Sequence, residues 1–337
     1  MKRNSLVPLS GLLGLLLIPG AAGPARADSI QESPIQITSS DLTRLSGALY
    51  SPARPVAGVV LLPGSGPALR ADMAPLAREL AGRGVTTLAF DKRGCGESGG
   101  SWIEASLDDL AADAVAGLQA LADLPALGQL PVGFWGHSQG VWVATVAATR
   151  SESAAFLIGV SGGGLSPREI ETYQYRQRLD HAGLPIAEKA RALEIVEDYF
   201  SYLETGEGRA ALARALELGG AWAEVLDLER VLVSERNRHH WSWVATFDPR
   251  EVAPRLRVPV LLVFGAEDGL LPLRSTVTAW ADSLTRERIT DLRVKIFPSA
   301  GHDLRIGGSH HTAGAAWAPG YLELLGDWIH ALTGTAD

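Results

Sequence analysis

The sequence predicts an α/β fold: a mostly parallel central sheet with helices on both faces and an inserted helical cap. Three observations carry this. Short, almost wholly apolar runs recur along the chain, segments of helical spacing lie between them, and one stretch of about 90 residues has helical spacing with no strand-like run. Continuous apolar strands alternating with helices indicate βαβ units, because a parallel strand is covered on both faces.

Taken in order, Ile35–Thr38 and Leu45–Tyr50 flank Ser39-Ser40-Asp41 and read as two strands joined by a turn. The apolar runs follow at Val56–Leu62, Val85–Phe90, Val132–Trp135, Ala155–Val160, Val260–Phe264 and Leu292–Phe297. Helices are expected near Asp72–Gly82, Ser106–Leu121, Gln139–Arg150, Leu273–Arg288 and Tyr321–Leu332. Between residues 165 and 255 the helical segments are Pro185–Leu203, Gly208–Leu218 and Ala221–Ser234. An insertion there reads as a cap over the C-terminal edge of the sheet, where open α/β folds bind ligands. The expected catalytic domain is therefore 28–164 joined to 256–337, with 165–255 as cap.

Composition narrows the function classes. The 337 residues are 46% apolar and carry 30 basic against 38 acidic side chains, a net charge of −8. That balance offers no basic footprint for nucleic acid. A single cysteine forms no internal disulfide and builds no thiolate zinc site. At the N-terminus, Lys2 and Arg3 precede an apolar run, Leu6–Ile18, and then Ala25-Arg26-Ala27. A basic start, a short apolar run and a small-x-small site match a signal peptide, residues 1–27, cleaved after Ala27. The run is shorter than the roughly 20 residues that span a bilayer. The expected mature protein is exported, periplasmic or secreted, with no stable membrane insertion.

The chemistry centres on Gly136-His137-Ser138-Gln139-Gly140, which ends one predicted strand and opens a predicted helix. This is the context of a nucleophile elbow: a sharp strand-to-helix turn lifts the serine hydroxyl off the sheet edge. Larger residues two positions to either side would strike neighbouring backbone. The helix N-terminus offers amides and a positive dipole end to developing negative charge. A serine needs a base and an orienting acid. The loop after the next-to-last strand contains Glu267-Asp268, and the loop after the last contains His302. Asp268 is preferred to Glu267, whose side chain should point the other way on a strand-like end. The order Ser138, Asp268, His302 is that of the elbow-bearing hydrolases. Oxyanion donors are expected from the amide of Gln139 and from the loop Pro63-Gly64-Ser65-Gly66-Pro67, with Ser65 ahead of Gly66.

On these residues the chain resembles the α/β-hydrolase superfamily from about Val56 onward. Leu62-Pro63-Gly64-Ser65-Gly66-Pro67 and Asp91-Lys92-Arg93-Gly94-Cys95-Gly96-Glu97-Ser98 look like segments of its bacterial exported esterase and serine-aminopeptidase-like branches. The resemblance implies Ser138 as nucleophile, His302 as base, Asp268 as orienter, and Ser65 and Gln139 as oxyanion donors. Pro63 stands where many relatives carry histidine, which leaves a backbone role intact. The implied reaction is hydrolysis of a small-molecule carboxylic ester through an acyl-enzyme, with no cofactor. Peptide or amide cleavage, and thioester or lactone hydrolysis, use the same machinery and stay open. So does a non-catalytic binding protein on this fold, which would be expected to lack part of the triad.

Other motifs read as structure. Gly94-Cys95-Gly96-Glu97-Ser98-Gly99 matches a dinucleotide fingerprint, but the following helix starts about ten residues late. His239-His240 and His310-His311 are adjacent pairs without metal-ligand spacing. Arg236 and Arg238 read as a solvated helix end rather than a carboxylate clamp. Of the cap aromatics Tyr173, Tyr175, Tyr199, Phe200, Tyr202, Trp222, Trp241 and Trp243, most are expected to pack and one or two to line a pocket.

Overall fold

Each apolar run becomes a strand because its two faces feed two separate cores. In the computed structural model, which describes residues 29–228, 235–284, 291–307 and 315–334, the strands are β1 (Gln31–Thr38), β2 (Arg44–Ser51), β3 (Ala57–Leu62), β4 (Val85–Phe90), β5 (Val132–His137), β6 (Ala154–Val160), β7 (Val260–Gly265) and β8 (Leu292–Phe297). The proposed leader, residues 229–234 and 285–290, the His310-His311 pair and the side chain of Arg236 lie outside the described residues. The helices are α1 (Arg70–Ala81), α2 (Leu107–Ala122), α3 (Gln139–Arg150), α4 (Pro167–His181), α5 (Ile186–Thr205), α6 (Arg209–Glu217), α7 (Ala221–Leu226), α8 (Glu235–Trp241), α9 (Trp243–Thr246), α10 (Pro249–Val252), α11 (Leu273–Ser283) and α12 (Tyr321–Leu332).

The strands form one eight-stranded sheet, ordered β1-β2-β4-β3-β5-β6-β7-β8. The pairs β1/β2 and β2/β4 are antiparallel and all others parallel. Val60 and Leu62 of β3 pack toward α2 and α3, whereas Val59 and Leu61 pack toward α1 and α12. β7 repeats the division, with Val260, Leu262 and Phe264 on one side and Leu261 and Val263 on the other. The period of two along each strand supplies both cores at once. β8 differs: its first five residues are exposed. It is an edge strand, and Arg293 and Lys295 alternate with Leu292, Val294 and Ile296, charge of the kind that discourages edge-to-edge pairing.

The described residues between β6 and β7 form helices α4 to α10, and α4, α5, α6, α7 and α9 contribute to a hydrophobic cluster separate from the two sheet cores. Tyr175, Tyr199, Phe200, Tyr202 and Trp222 are buried in it. Helix α4 was not among the expected helices, being poor in apolar residues. Its start nevertheless carries a capping box, Ser166 with Glu169, and Pro167 at the first turn. Arg238 donates to the carbonyls of Leu203 and Glu204, capping α5. No described helix is long and apolar enough to cross a membrane.

One buried ion pair joins the turn after β4 to α2. Arg93 grips Asp113 through Nε and Nη2 at 2.8 and 2.6 Å and reaches Asp41 at 3.0 Å. Arg93 and Asp113 are both buried, so removing one leaves an uncompensated charge. Asp113→Ala should cost about 3–5 kcal/mol in chemical denaturation. Asp41→Ala, at the exposed end of the network, should cost no more than about 1 kcal/mol.

Candidate active site

Four loops meet at the C-terminal edge of the sheet because β3, β5, β6, β7 and β8 are consecutive neighbours there. Ser138 lies between β5 and α3 with φ 54° and ψ −120°. A non-glycine residue in this region costs about 1–3 kcal/mol and persists only where its surroundings enforce it. Here the Ser138 amide donates to the Val160 carbonyl at 2.9 Å, and its carbonyl accepts from Val141 at 3.0 Å. The flanking glycines permit the turn. A Cβ on Gly136 would come within 2.3 Å of the Gly140 oxygen, and one on Gly140 within 2.2 Å of the Leu62 oxygen.

Asp268 and His302 are brought together. His302 Nδ1 donates to Asp268 Oδ2 at 2.8 Å, both side chains being almost fully buried. The other carboxylate oxygen of Asp268 accepts from the Leu270 amide at 2.8 Å, so both its oxygens are fixed. Glu267 is exposed. The loop bearing His302 lies tightly against the end of β7: a Cβ on Gly265 would meet the Ala300 and Gly301 oxygens at 2.2 and 2.3 Å.

Ser138 is brought to the same edge, but its hydroxyl makes no hydrogen bond among the described residues. Hydrogen bonds of this kind are often long in resting enzymes and tighten when substrate is bound. A Cβ on Gly64 would lie 3.3 Å from Ser138 Cβ and 3.5 Å from His137 Nδ1, so the loop after β3 passes directly beside the serine. Among the described residues the amides of Ser65, Gly66 and Gln139 have no protein acceptor. Ser65 itself is exposed, and Gly66 has φ 83°.

His137 occupies the variable position of the serine motif, so the sequence carries no signal of its role. Its Nε2–H donates to the His302 carbonyl at 3.1 Å and lies 3.4 Å from Asp303 Oδ1. The rings of His137 and His302 meet edge to face, centroids 4.8 Å apart. Burial, and next the neighbouring His302, push the His137 pKa down to about 4. A neutral His137 therefore braces the loop that carries His302. Only the long-range packing of β5 against that loop reveals this.

A narrow hollow beside Gln139 is lined by Gly66, Leu110, Trp102, Trp241 and Trp243. Trp241 is fixed by its Nε1–H bond to the Ile103 carbonyl at 2.5 Å and packs edge to face on Trp102. Two of the cap aromatics thus face this side of the site. Cys95 is buried in the turn after β4. Among the described residues no group of three or more His, Cys, Asp or Glu side chains could hold a metal ion.

Comparison with known proteins places this geometry in context. A family profile described as the alpha/beta hydrolase family matches residues 59–317. No curated protein matches the chain in sequence. Among solved structures, an esterase from Pyrococcus furiosus superposes with a TM-score of 0.60 at 16% identity, covering 90% of this chain and 92% of that one. A hypothetical protein from Pseudomonas aeruginosa gives 0.57 at 18% identity, over 91% and 95%. An alpha/beta hydrolase from a Penicillium species gives 0.57 at 16%, over 90% and 98%. At these identities the likeness is one of fold.

The close approach at the elbow is testable. Gly140→Ala should force α3 off the Leu62 carbonyl and cost about 1–3 kcal/mol in denaturant unfolding. Gly269→Ala, where an added methyl meets nothing within 4 Å, should leave stability within about 0.5 kcal/mol of wild type.

Proposed function

The chain belongs to the alpha/beta hydrolase family, and within it we propose a serine hydrolase that cleaves carboxylic esters through an acyl-enzyme. The observation that carries this reading is the Asp268–His302 hydrogen bond, at the sheet edge where Ser138 is held at positive φ. With Nδ1 of His302 committed to Asp268, Nε2 is the ring nitrogen to which the reading assigns the proton transfer.

In the proposed reaction Ser138 Oγ attacks the ester carbonyl as His302 Nε2 takes its proton, and Asp268 stabilises the imidazolium. The carbonyl oxygen becomes an oxyanion, received by the amides of Gln139 and Ser65. The tetrahedral intermediate collapses, the C–O bond to the alcohol breaks, and His302 returns the proton to the leaving alkoxide. Water then attacks the acyl-serine with His302 again as base, releasing the acid and restoring Ser138. Export behind a signal peptide, residues 1–27, is part of the same proposal.

Ser138→Ala should lower turnover of a short-chain aryl ester by a factor on the order of 10⁶, and Asp268→Asn by about 10⁴, with both variants folded. Full turnover by the Ser138 variant overturns the nucleophile assignment. Faster cleavage of a matched anilide than of the ester would move the reading to amide hydrolysis.

A further inference from the structure

Lys92 lies beneath the proposed oxyanion site and takes no part in the reaction as written. Lys92 is only 6% exposed. No carboxylate accepts from its ammonium among the described residues. Asp91 is bound by Arg70, and Asp113, which with Lys92 and Gln139 borders a second small hollow, is gripped by Arg93. The ammonium donates instead to the Gly64 carbonyl at 2.7 Å, the Gly66 carbonyl at 2.8 Å and Gln139 Oε1 at 3.1 Å. A lysine ammonium has three N–H donors, and all three end on neutral acceptors.

Those acceptors have a geometric meaning. In a trans peptide the C=O and the N–H point in opposite directions. Fixing the Gly64 carbonyl on Lys92 therefore turns the Ser65 N–H away from Lys92. Fixing the Gly66 carbonyl points the next peptide nitrogen the same way, but that nitrogen belongs to Pro67 and carries no hydrogen. The arrangement thus orients the Ser65 amide; the Gly66 amide belongs to the Ser65–Gly66 peptide, whose carbonyl Lys92 does not hold. The third bond ties the loop to Gln139, the residue whose amide forms the other half of the site.

Resting on the ester-hydrolase reading, we propose that Lys92 is a positioning residue for the oxyanion hole. It aims the Ser65 amide through the Gly64 carbonyl, locks that loop to Gln139, and places an unneutralised positive charge behind both donors. A positive charge in this dry setting favours the tetrahedral oxyanion over the neutral ester. Burial pushes the Lys92 pKa down to about 8, with the Cys95 thiol on the same turn opposing the shift. The other charged groups around it are Asp91 with Arg70 and Asp113 with Arg93, while His137 on β5 is neutral and the cap side brings Trp241 and Trp243. The ammonium, present below that pKa, is lost as pH rises through it.

The test is steady-state hydrolysis of p-nitrophenyl acetate from pH 6 to 10 by the wild type, Lys92→Met and Lys92→Arg. The wild type should lose kcat above about pH 8 to 9. Lys92→Met should show kcat lower by roughly 10²-fold, KM within about threefold, and no alkaline limb. Lys92→Arg keeps the charge and should recover part of kcat, also without the limb. Lys92→Met with wild-type kcat, or with the same alkaline limb, overturns the proposal. If the Met variant does not fold by circular dichroism, the wild-type profile decides, a flat rate from pH 7 to 10 being the contrary result. A wild type that neither turns over nor reacts with a fluorophosphonate overturns the hydrolase reading itself, whereas an active wild type with an indifferent Lys92→Met overturns only the role of Lys92.

Discussion

Everything at the site depends on the wedge between β5 and α3. Gly140 sits so close to the carbonyl of Leu62 that no side chain fits between them, and this contact presses α3 onto the end of β3. The same contact holds Ser138 at φ 54° and brings the loop after β3 alongside it. The strain of that one residue is borne by the surrounding sheet, through the hydrogen bond from Ser138 to Val160 of the neighbouring strand. Because β3 and β5 are neighbours in the sheet order, a loop distant in sequence lies alongside a serine at the head of a helix. The site is thus a consequence of strand order as much as of side-chain identity.

The electrostatics follow the same layout. Where the buried charges pair, as Arg93 does with Asp113, they stitch the turn after β4 to α2. Where one has no counter-ion among the described residues, as Lys92 has none, it lies under the loop that faces Ser138, and its bonds to carbonyl oxygens replace the water it has lost. Arg93 and Lys92 are adjacent in sequence and serve opposite ends of the same turn. His137 completes the frame by holding the backbone of His302 from the opposite side.

Much of the fold was legible because its signals are local. Six apolar runs became β3 to β8, and the boundaries of α3, α12 and β8 matched the sequence reading. Helix α4 escaped because a polar helix shows little periodicity, although Ser166, Pro167 and Glu169 spell its start. The exposure of β8 could not be read from its composition, since an edge position is decided by which strands flank it. Within the site, Ser138, Asp268 and His302 stood out because each follows a strand whose end could be located. His137 and Lys92 did not, because their roles consist of bonds to backbone carbonyls far away in sequence, which leave no motif. The cap aromatics illustrate both cases: Tyr199, Phe200 and Tyr202 pack as their spacing suggests, while only the fold turns Trp241 and Trp243 toward Gln139.

The central claim is that Ser138 carries the acyl group between the two halves of the reaction. The direct measurement is acid quenching of the full-length enzyme during turnover of an aryl ester, followed by peptide mapping by mass spectrometry. The account predicts one acyl group on the peptide containing Ser138, assigned by fragmentation to that serine. An acyl group on another residue, or continued turnover with the Ser138 peptide unmodified and no burst of phenol release, would contradict it.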